Sequence, residues 1–201
     1  MDSLRPLYAD ALAEQLTRSV AAVSALPAQM PVLLDAADLL VSTLRAGGKV
    51  LTAGNGGSAA EAMHMAEELS GRYKHNRRSL PGLALTSDGT AMTCIGNDFG
   101  FDEVFARQVE GLGAPGDLLV LFSTSGKARN LSRALETARG KGMRVLALLG
   151  RDGGPMRGRA DVEILAPGAA TENIQEVHQV VLHLLLEAVE RAFPETGTPT
   201  P

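Results

Sequence analysis

At 201 residues with 45% hydrophobic content, the chain can bury a substantial core and form a single domain. A formal net charge of -4 and a sequence pI near 5.6 argue against a nucleic-acid-binding surface, and the one cysteine, Cys94, excludes an internal disulfide framework and suits a reducing compartment. There is neither a basic start leading into an apolar run nor an unbroken apolar stretch of membrane-spanning length, so no signal peptide and no membrane span are expected, and the expected location is the cytoplasm.

Residues 7–26 carry apolar side chains at helical spacing (Leu12, Leu16, Val20, Val23), and a second amphipathic helix over 30–44 stops at Gly47 and Gly48. A doubly wound sheet does not need two leading helices. They are therefore expected to cover one sheet edge and to pair with another subunit. Residues 49–73, KVLTAGNGGSAAEAMHMAEELSGRY, organise the rest of the chain. A short apolar strand over 50–53 runs into Gly54, Asn55, Gly56, Gly57 and Ser58 and then into a helix, with Ser58 expected as its N-cap. Glycines admit close backbone approach, and the amides at a helix start attract an anion, so this is a phosphate-cradle arrangement. Inside the helix His64 and Glu68 stand at i and i+4 on one face, as a proton-transfer pair, a metal pair or a surface ion pair. Gly54, Gly56 and Ala59 also fit a dinucleotide fingerprint, but Asp88, the nearest acidic candidate, lies too far along. The basic run Arg72, Lys74, Arg77 and Arg78 reads as a solvated loop.

A second strand spans 82–86. A short helical or looped piece, 89–95, leads into residues 96–100, and Asp102 is expected to cap a helix through Leu112. After a turn at Pro115 and Gly116, the DLLVLF run at 117–122 is apolar without alternation, the mark of a strand buried on both faces. A helix over 129–140, a strand over 144–149, a Gly-rich connection, a strand over 162–165 and a helix over 171–193 follow. The tail, residues 194–201 (PETGTPTP), is expected to be disordered, leaving one domain over 1–193. Strands separated by helices imply parallel pairing, so the class is α/β, with ligands beyond the carboxyl ends of the strands.

Two loops fall at that edge. Ser123, Thr124, Ser125 and Gly126 place three hydroxyls before a helix, which suits a phosphate, although an N-cap cluster has the same composition. In the last helix Gln175, Gln179 and His183 form a polar stripe apart from the apolar face of Ile174, Val177, Val181, Leu184 and Leu185. His178 falls on the apolar side and reads as a packed, hydrogen-bonded core histidine, and Cys94 as a small buried side chain. His64, Glu68, Gln175 and His183 together resemble a ligand set for zinc or a related ion.

The segments GNGGSAAEAMHMAEELSGRY at 54–73, GNDFGF at 96–101, STSG at 123–126, GRDGG at 150–154 and IQEVHQVVLH at 174–183 resemble those of the sedoheptulose 7-phosphate isomerases (phosphoheptose isomerases) of the sugar isomerase, or SIS, domain superfamily. The resemblance covers nearly the whole chain, to about Ala192. It implies a flavodoxin-like parallel sheet between helices, a homotetramer with sites at subunit contacts, and a cytoplasmic role in making D-glycero-D-manno-heptose 7-phosphate for heptose-containing surface polysaccharide. It further implies one zinc per subunit on His64, Glu68, Gln175 and His183, with Glu68 and His183 as the acid-base pair. Asn55, Gly56, Gly57, Ser58, Glu68, Arg72, Asn97, Asp98, Ser123, Thr124, Ser125 and Gln175 are the implied substrate contacts. Neither nucleic acid nor membrane is an implied partner.

Three positions depart from the family's usual pattern: Lys127 where asparagine is common, Ala128 where a serine is usual, and Asn173 where an arginine often stands. They bear on the charge pattern of the site and leave the metal set untouched. Three other functions fit parts of the sequence: an isomerase of another sugar phosphate, a noncatalytic relative that binds the replication initiator protein, and a nucleotide-binding protein. Retention of both Glu68 and His183 speaks against the binding module, which has no use for the pair.

Overall fold

The structure, a computed structural model, describes residues 4–193, so the tail at 194–201 lies outside the described residues. Strands β1 (Val50–Gly54), β2 (Gly82–Ala84), β3 (Leu118–Ser123), β4 (Arg144–Gly150) and β5 (Val162–Ala166) form one sheet in the order β2-β1-β3-β4-β5. Every pairing is parallel, and the order is the flavodoxin-like one. Packed about the sheet are α1 (Arg5–Ser24), α2 (Met30–Arg45), α3 (Gly57–Ser70), α4 (Gly89–Phe99), α5 (Ala106–Leu112), α6 (Arg129–Gly140) and α7 (Thr171–Ala192).

Alternation along the central strands builds two cores. Leu118, Val120 and Phe122 of β3 face the side covered by α2, α3 and α7, while Leu119 and Leu121 face α5 and α6. Both sides are buried, which is why this strand is apolar without a break. Pairing aligns Gly54 with Phe122, so the chain leaves β1 and β3 side by side at the carboxyl edge of the sheet. At the opposite edge Asp117 accepts from the amides of Lys49 (2.9 Å) and Ala114 (2.8 Å) and pairs with the Lys49 ammonium. Burial raises the pKa of this carboxyl, but the Lys49 ammonium and the two amides outweigh it and hold the group below the usual carboxylate range.

Of the leading helices, α2 packs on β5 and α7, covering that sheet edge as expected. α1 lies on α7 and buries only Ala22, leaving Leu7, Leu12, Leu16 and Val20 exposed. A window within Arg5–Arg45 reaches a mean hydropathy of 1.4, apolar enough by length and composition to cross a bilayer, although no unbroken apolar run of that length occurs in it. The stretch is two helices, not one rod. A 3-10 turn at Leu26–Gln29 interrupts it, because Pro27 and Pro31 cannot supply the amides that a continuous helix needs there.

Several local expectations need correction. α3 begins at Gly57, with Gly56 at φ 58° in the capping position, so Ser58 falls inside the first turn, buried, and caps nothing. α4 is capped by Asp88, whose carboxylate accepts from the amides of Thr90 and Ala91 at 2.9 Å, and it runs through Gly96 to Phe99 before Gly100, at φ 88°, ends it. Asp102 lies in a 3-10 turn and caps no helix; α5 starts only at Ala106. α4 buries none of its residues, so Cys94 is exposed. Leu184 is exposed too, since α7 buries the arc of Val181, Leu182, Leu185 and Leu186.

Candidate active site

The loops after β1 and β3 close a pocket of about 300 Å³. Asn55, Gly56, Gly57 and Ser58 line it from the first loop, Ser123, Thr124, Ser125 and Ala128 from the second, and Thr171 and Gln175 from α7. The starts of α3, α6 and α7 therefore all open on one cavity. The positive ends of three helix dipoles suit this cavity to an anion, and the part played by the start of α7 was not foreseen in the sequence.

At Gly57 a Cβ would stand 2.3 Å from Gln175 Nε2, so the bare backbone here leaves room for the Gln175 side chain. Ser123 Oγ accepts from the Gly126 amide at 3.0 Å, and Ser125 Oγ from that of Lys127 at 3.3 Å. Each hydroxyl proton stays available to an anion. Asn55 is held by a residue the sequence reading missed: its side-chain amide exchanges two hydrogen bonds of 2.9 Å with that of buried Asn130. Asn130 thus ties the first loop to α6. A signal was present only in its place, one turn past the serine cluster.

Ala128 occupies the N-cap of α6 in extended conformation with no side-chain cap, and it lines the pocket. Ala128→Ser is expected to stabilise the fold by about 1 kcal/mol through the restored cap. It should also tighten phosphate binding by about 0.5 to 1.5 kcal/mol. Thermal unfolding reads the first effect and the Michaelis constant the second; if neither moves, the hydroxyl faces away from both.

A polar seam runs from this pocket between α3 and α7, which lie side by side in the same direction. In order along it come Gly57 against Gln175, Glu61 Oε2 at 3.7 Å from His178 Nδ1, His64 against Gln179, and finally Glu68 and His183. Gln179 Nε2 donates to His64 Nδ1 at 2.7 Å and to His183 Nε2 at 3.3 Å, while His64 Nε2 donates to Glu68 Oε1 at 3.3 Å. The two imidazoles meet edge to face with centroids 5.2 Å apart, and Tyr73 stacks on His183 at 5.8 Å. Burial and the neighbouring His64 push the His183 pKa below the ordinary imidazole value, and Lys74 adds to this against the pull of Glu68. His183 is thereby favoured as a neutral base at physiological pH.

His64, Glu68 and His183 are brought together as the sequence suggested. Gln175 is not with them: the amide between the histidines belongs to Gln179, and Gln175 stands two turns before His183, at the pocket. His178 is fully buried as expected, but among the described residues neither of its ring nitrogens has a hydrogen-bond partner. Asn97, Asp98 and Arg72 are exposed and do not line the pocket; Asn97 donates to Asp98 at 2.7 Å on the last turn of α4.

One donor atom from each of His64, Glu67 and Glu68 lies within 4.8 Å of the others, and Glu68 keeps a buried oxygen, Oε2, without a partner. Imidazole and carboxylate donors with an unsatisfied buried oxygen fit a divalent ion such as zinc. Glu67 had gone unnoticed, although it stands at i+3 from His64.

The sequence matches the SIS domain family over residues 12–150. It is 49% identical over 164 residues to a phosphoheptose isomerase of Sodalis glossinidius, covering 81% of this chain and 84% of that one. To a phosphoheptose isomerase of Akkermansia muciniphila it is 53% identical over 155 residues, 77% of this chain and 82% of the relative. Among solved structures, a phosphoheptose isomerase from Neisseria gonorrhoeae superposes with a TM-score of 0.82 at 38% identity, covering 94% of this chain and all 100% of that one. Another from Francisella tularensis gives 0.84 at 35% identity, with 95% and 100% covered.

Proposed function

We propose that this chain, which belongs to the phosphoheptose isomerases of the SIS domain family, interconverts sedoheptulose 7-phosphate and D-glycero-D-manno-heptose 7-phosphate in the making of heptose-containing surface polysaccharide. The observation that carries the reading is the seam, which joins an anion pocket at one end to an acid-base pair at the other. Glu68 lies eleven residues beyond Gly57, about 16 Å along the helix axis, and its side chain leans back toward the pocket. A seven-carbon sugar with its phosphate on the last carbon covers more of that gap than a three-carbon one.

Moving the carbonyl between C1 and C2 transfers a proton between adjacent carbons through an enediol. Glu68 takes the proton from the carbon beside the carbonyl and returns it to the neighbour. His183, favoured as neutral, moves the proton between the two oxygens. The phosphate, bound by the amides of the three helix starts and by Ser123, Thr124 and Ser125, supplies remote binding energy that positions the reacting end. Incubation with sedoheptulose 7-phosphate, followed by NMR, tests the reading: an isomeric heptose phosphate is expected, and its absence refutes the activity. A panel of phosphosugars separates isomerases of other substrates. The pair at the end of the seam also counts against a noncatalytic initiator-binding role.

Zinc, one per subunit, would be held by His64, Glu68 and His183, with the side chain of Gln175 swung out of its place against Gly57, or that of Gln179 turned to present its oxygen, as a further ligand. When bound it polarises the carbonyl and orients the sugar. Chelation is expected to lower activity and melting temperature together, because an ion that binds only the folded form stabilises it by mass action. Active protein found metal-free by elemental analysis would leave the cluster as a hydrogen-bond network alone. A homotetramer in the cytoplasm completes the proposal. The assembly is supported by the exposed apolar row on α1, and Asn97, Asp98 and Arg72, which lie off the pocket of their own subunit, are assigned to a neighbour's site. Light scattering tests the assembly.

A further inference from the structure

The basic run after α3, expected to be a solvated loop, is buried at its centre. The Arg77 side chain is 0% exposed. Its Nε donates to Glu190 Oε1 at 2.9 Å, Nη2 to the carbonyl of Glu68 at 2.7 Å, and Nη1 to the carbonyls of Leu69 at 3.0 Å and Arg78 at 3.1 Å. Glu190, on α7, is only 3% exposed at its side chain and accepts with its other oxygen from the His75 amide at 2.9 Å. On the same short segment Lys74 pairs with Glu187 of α7, and Tyr73 stacks on His183. The guanidinium fork therefore grips the main chain at Glu68 and a carboxylate two turns beyond His183.

Nearer the pocket one hydrogen bond crosses between the helices, from Gln179 Nε2 to His64 Nδ1 at 2.7 Å. Glu68 and His183 make their own 3.3 Å bonds within their helices, to His64 and Gln179, so the main chain at Glu68 is tied to α7 by Arg77, which bridges the Glu68 carbonyl and Glu190. We infer that Arg77 is a positioning residue for the isomerase pair: by clamping the end of α3 to Glu190 it sets the separation of the Glu68 carboxylate and the His183 ring. Lysine cannot replace it, because a point charge lacks the planar fork that reaches a carboxylate and three carbonyls at once. The inference rests on the isomerase reading, since it assigns those two residues their roles.

A merely structural role is separable from this one. Removing one partner of a buried ion pair is strongly destabilising, whereas replacing both with apolar residues of similar volume is often neutral or stabilising. The test compares the full-length enzyme with Arg77→Lys, Arg77→Met and the double variant Arg77→Met with Glu190→Met, reading melting temperature, kcat and KM. The double variant should regain the melting temperature that Arg77→Met loses. Its kcat should stay about 10²-fold down, the cost of a misplacement near 1 Å. KM for the heptose phosphate should hold near the wild-type value, because the pocket is built by other loops. Arg77→Lys should keep part of the stability and none of the rate. Recovery of kcat along with melting temperature in the double variant would overturn the inference. A wild-type chain that isomerises no heptose phosphate strikes the isomerase reading instead. The clamp is then judged by hydrogen exchange, which should quicken in the last turn of α3 in the double variant at restored melting temperature; unchanged exchange overturns it.

Discussion

Glu68→Gln is expected to cut turnover by about 10²- to 10⁴-fold, the usual worth of a positioned acid-base group, while the protein stays folded and still binds its sugar phosphate. The substitution keeps the shape of the side chain and one oxygen to accept from His64 Nε2. It removes the charge and basicity on which proton abstraction depends. Binding should survive because the pocket is lined by the loops after β1 and β3 and by the start of α7, and Glu68 lies at the other end of α3. Since Glu68 also belongs to the donor cluster, metal content has to be measured in the variant before the rate is interpreted. Turnover in D₂O gives an independent reading: the wild type should place deuterium at the carbon that receives the proton, and the variant should place none. Near wild-type turnover at normal metal content would sink the assignment and move the proton carrier to His183.

What the sequence made legible follows from short-range rules. The strands are apolar runs closed by glycines, the crossovers are helices, and parallel order follows from both. The two anion loops could be read because their chemistry is written in consecutive residues. The failures are all questions of which residue meets a distant one. The guanidinium of Arg77 finds a carboxylate 113 positions away, and without that partner four basic residues within a short segment look like a solvated surface. Gln175 and Gln179 share one stripe of α7, and which of them meets His64 depends on the axial offset between two helices, a quantity no single-chain pattern contains. Asn130 is similar: its partner Asn55 is brought to it by the alignment of β1 with β3. Leu184 and Cys94 failed for the opposite reason, since apolar character does not say which arc of a helix the core takes. The third helix start at the pocket, that of α7, is likewise visible only once the sheet order is known.

Gly126→Ala is expected to be among the most damaging substitutions in the chain, both to stability and to phosphate binding. Gly126 sits at φ +61°, in the left-handed region, and a Cβ there would stand 1.8 Å from the carbonyl oxygen of Gly153 and 2.4 Å from its carbonyl carbon. Both neighbours are main chain, so no flexible side chain can move aside. The contact is close from the other side as well, because Gly154, at φ +51°, packs on the carbonyl of Ser125, where its own Cβ would come within 2.6 Å. The STSG and GRDGG segments are therefore two faces of a backbone-to-backbone contact, which accounts for the glycines at 126 and 154, while Gly153 is suited to its left-handed φ of +79°. The left-handed conformation alone costs a non-glycine residue about 1 to 3 kcal/mol. At about 2 to 4 °C per kcal/mol for a domain of this size, that is a drop of several degrees in melting temperature before the clash is counted. Relief of the clash must displace residues 123–126, and with them the hydroxyls of Ser123 and Ser125, so KM for the sugar phosphate should rise as well. Gly111→Ala serves as the control. It lies within α5, with no atom in the way of a Cβ, and should be neutral or stabilising by up to about 1 kcal/mol. If Gly126→Ala instead matches the wild type in melting temperature and in KM, the serine loop is not held by the Gly-rich connection, and the phosphate must be bound by the starts of α3 and α7 without it.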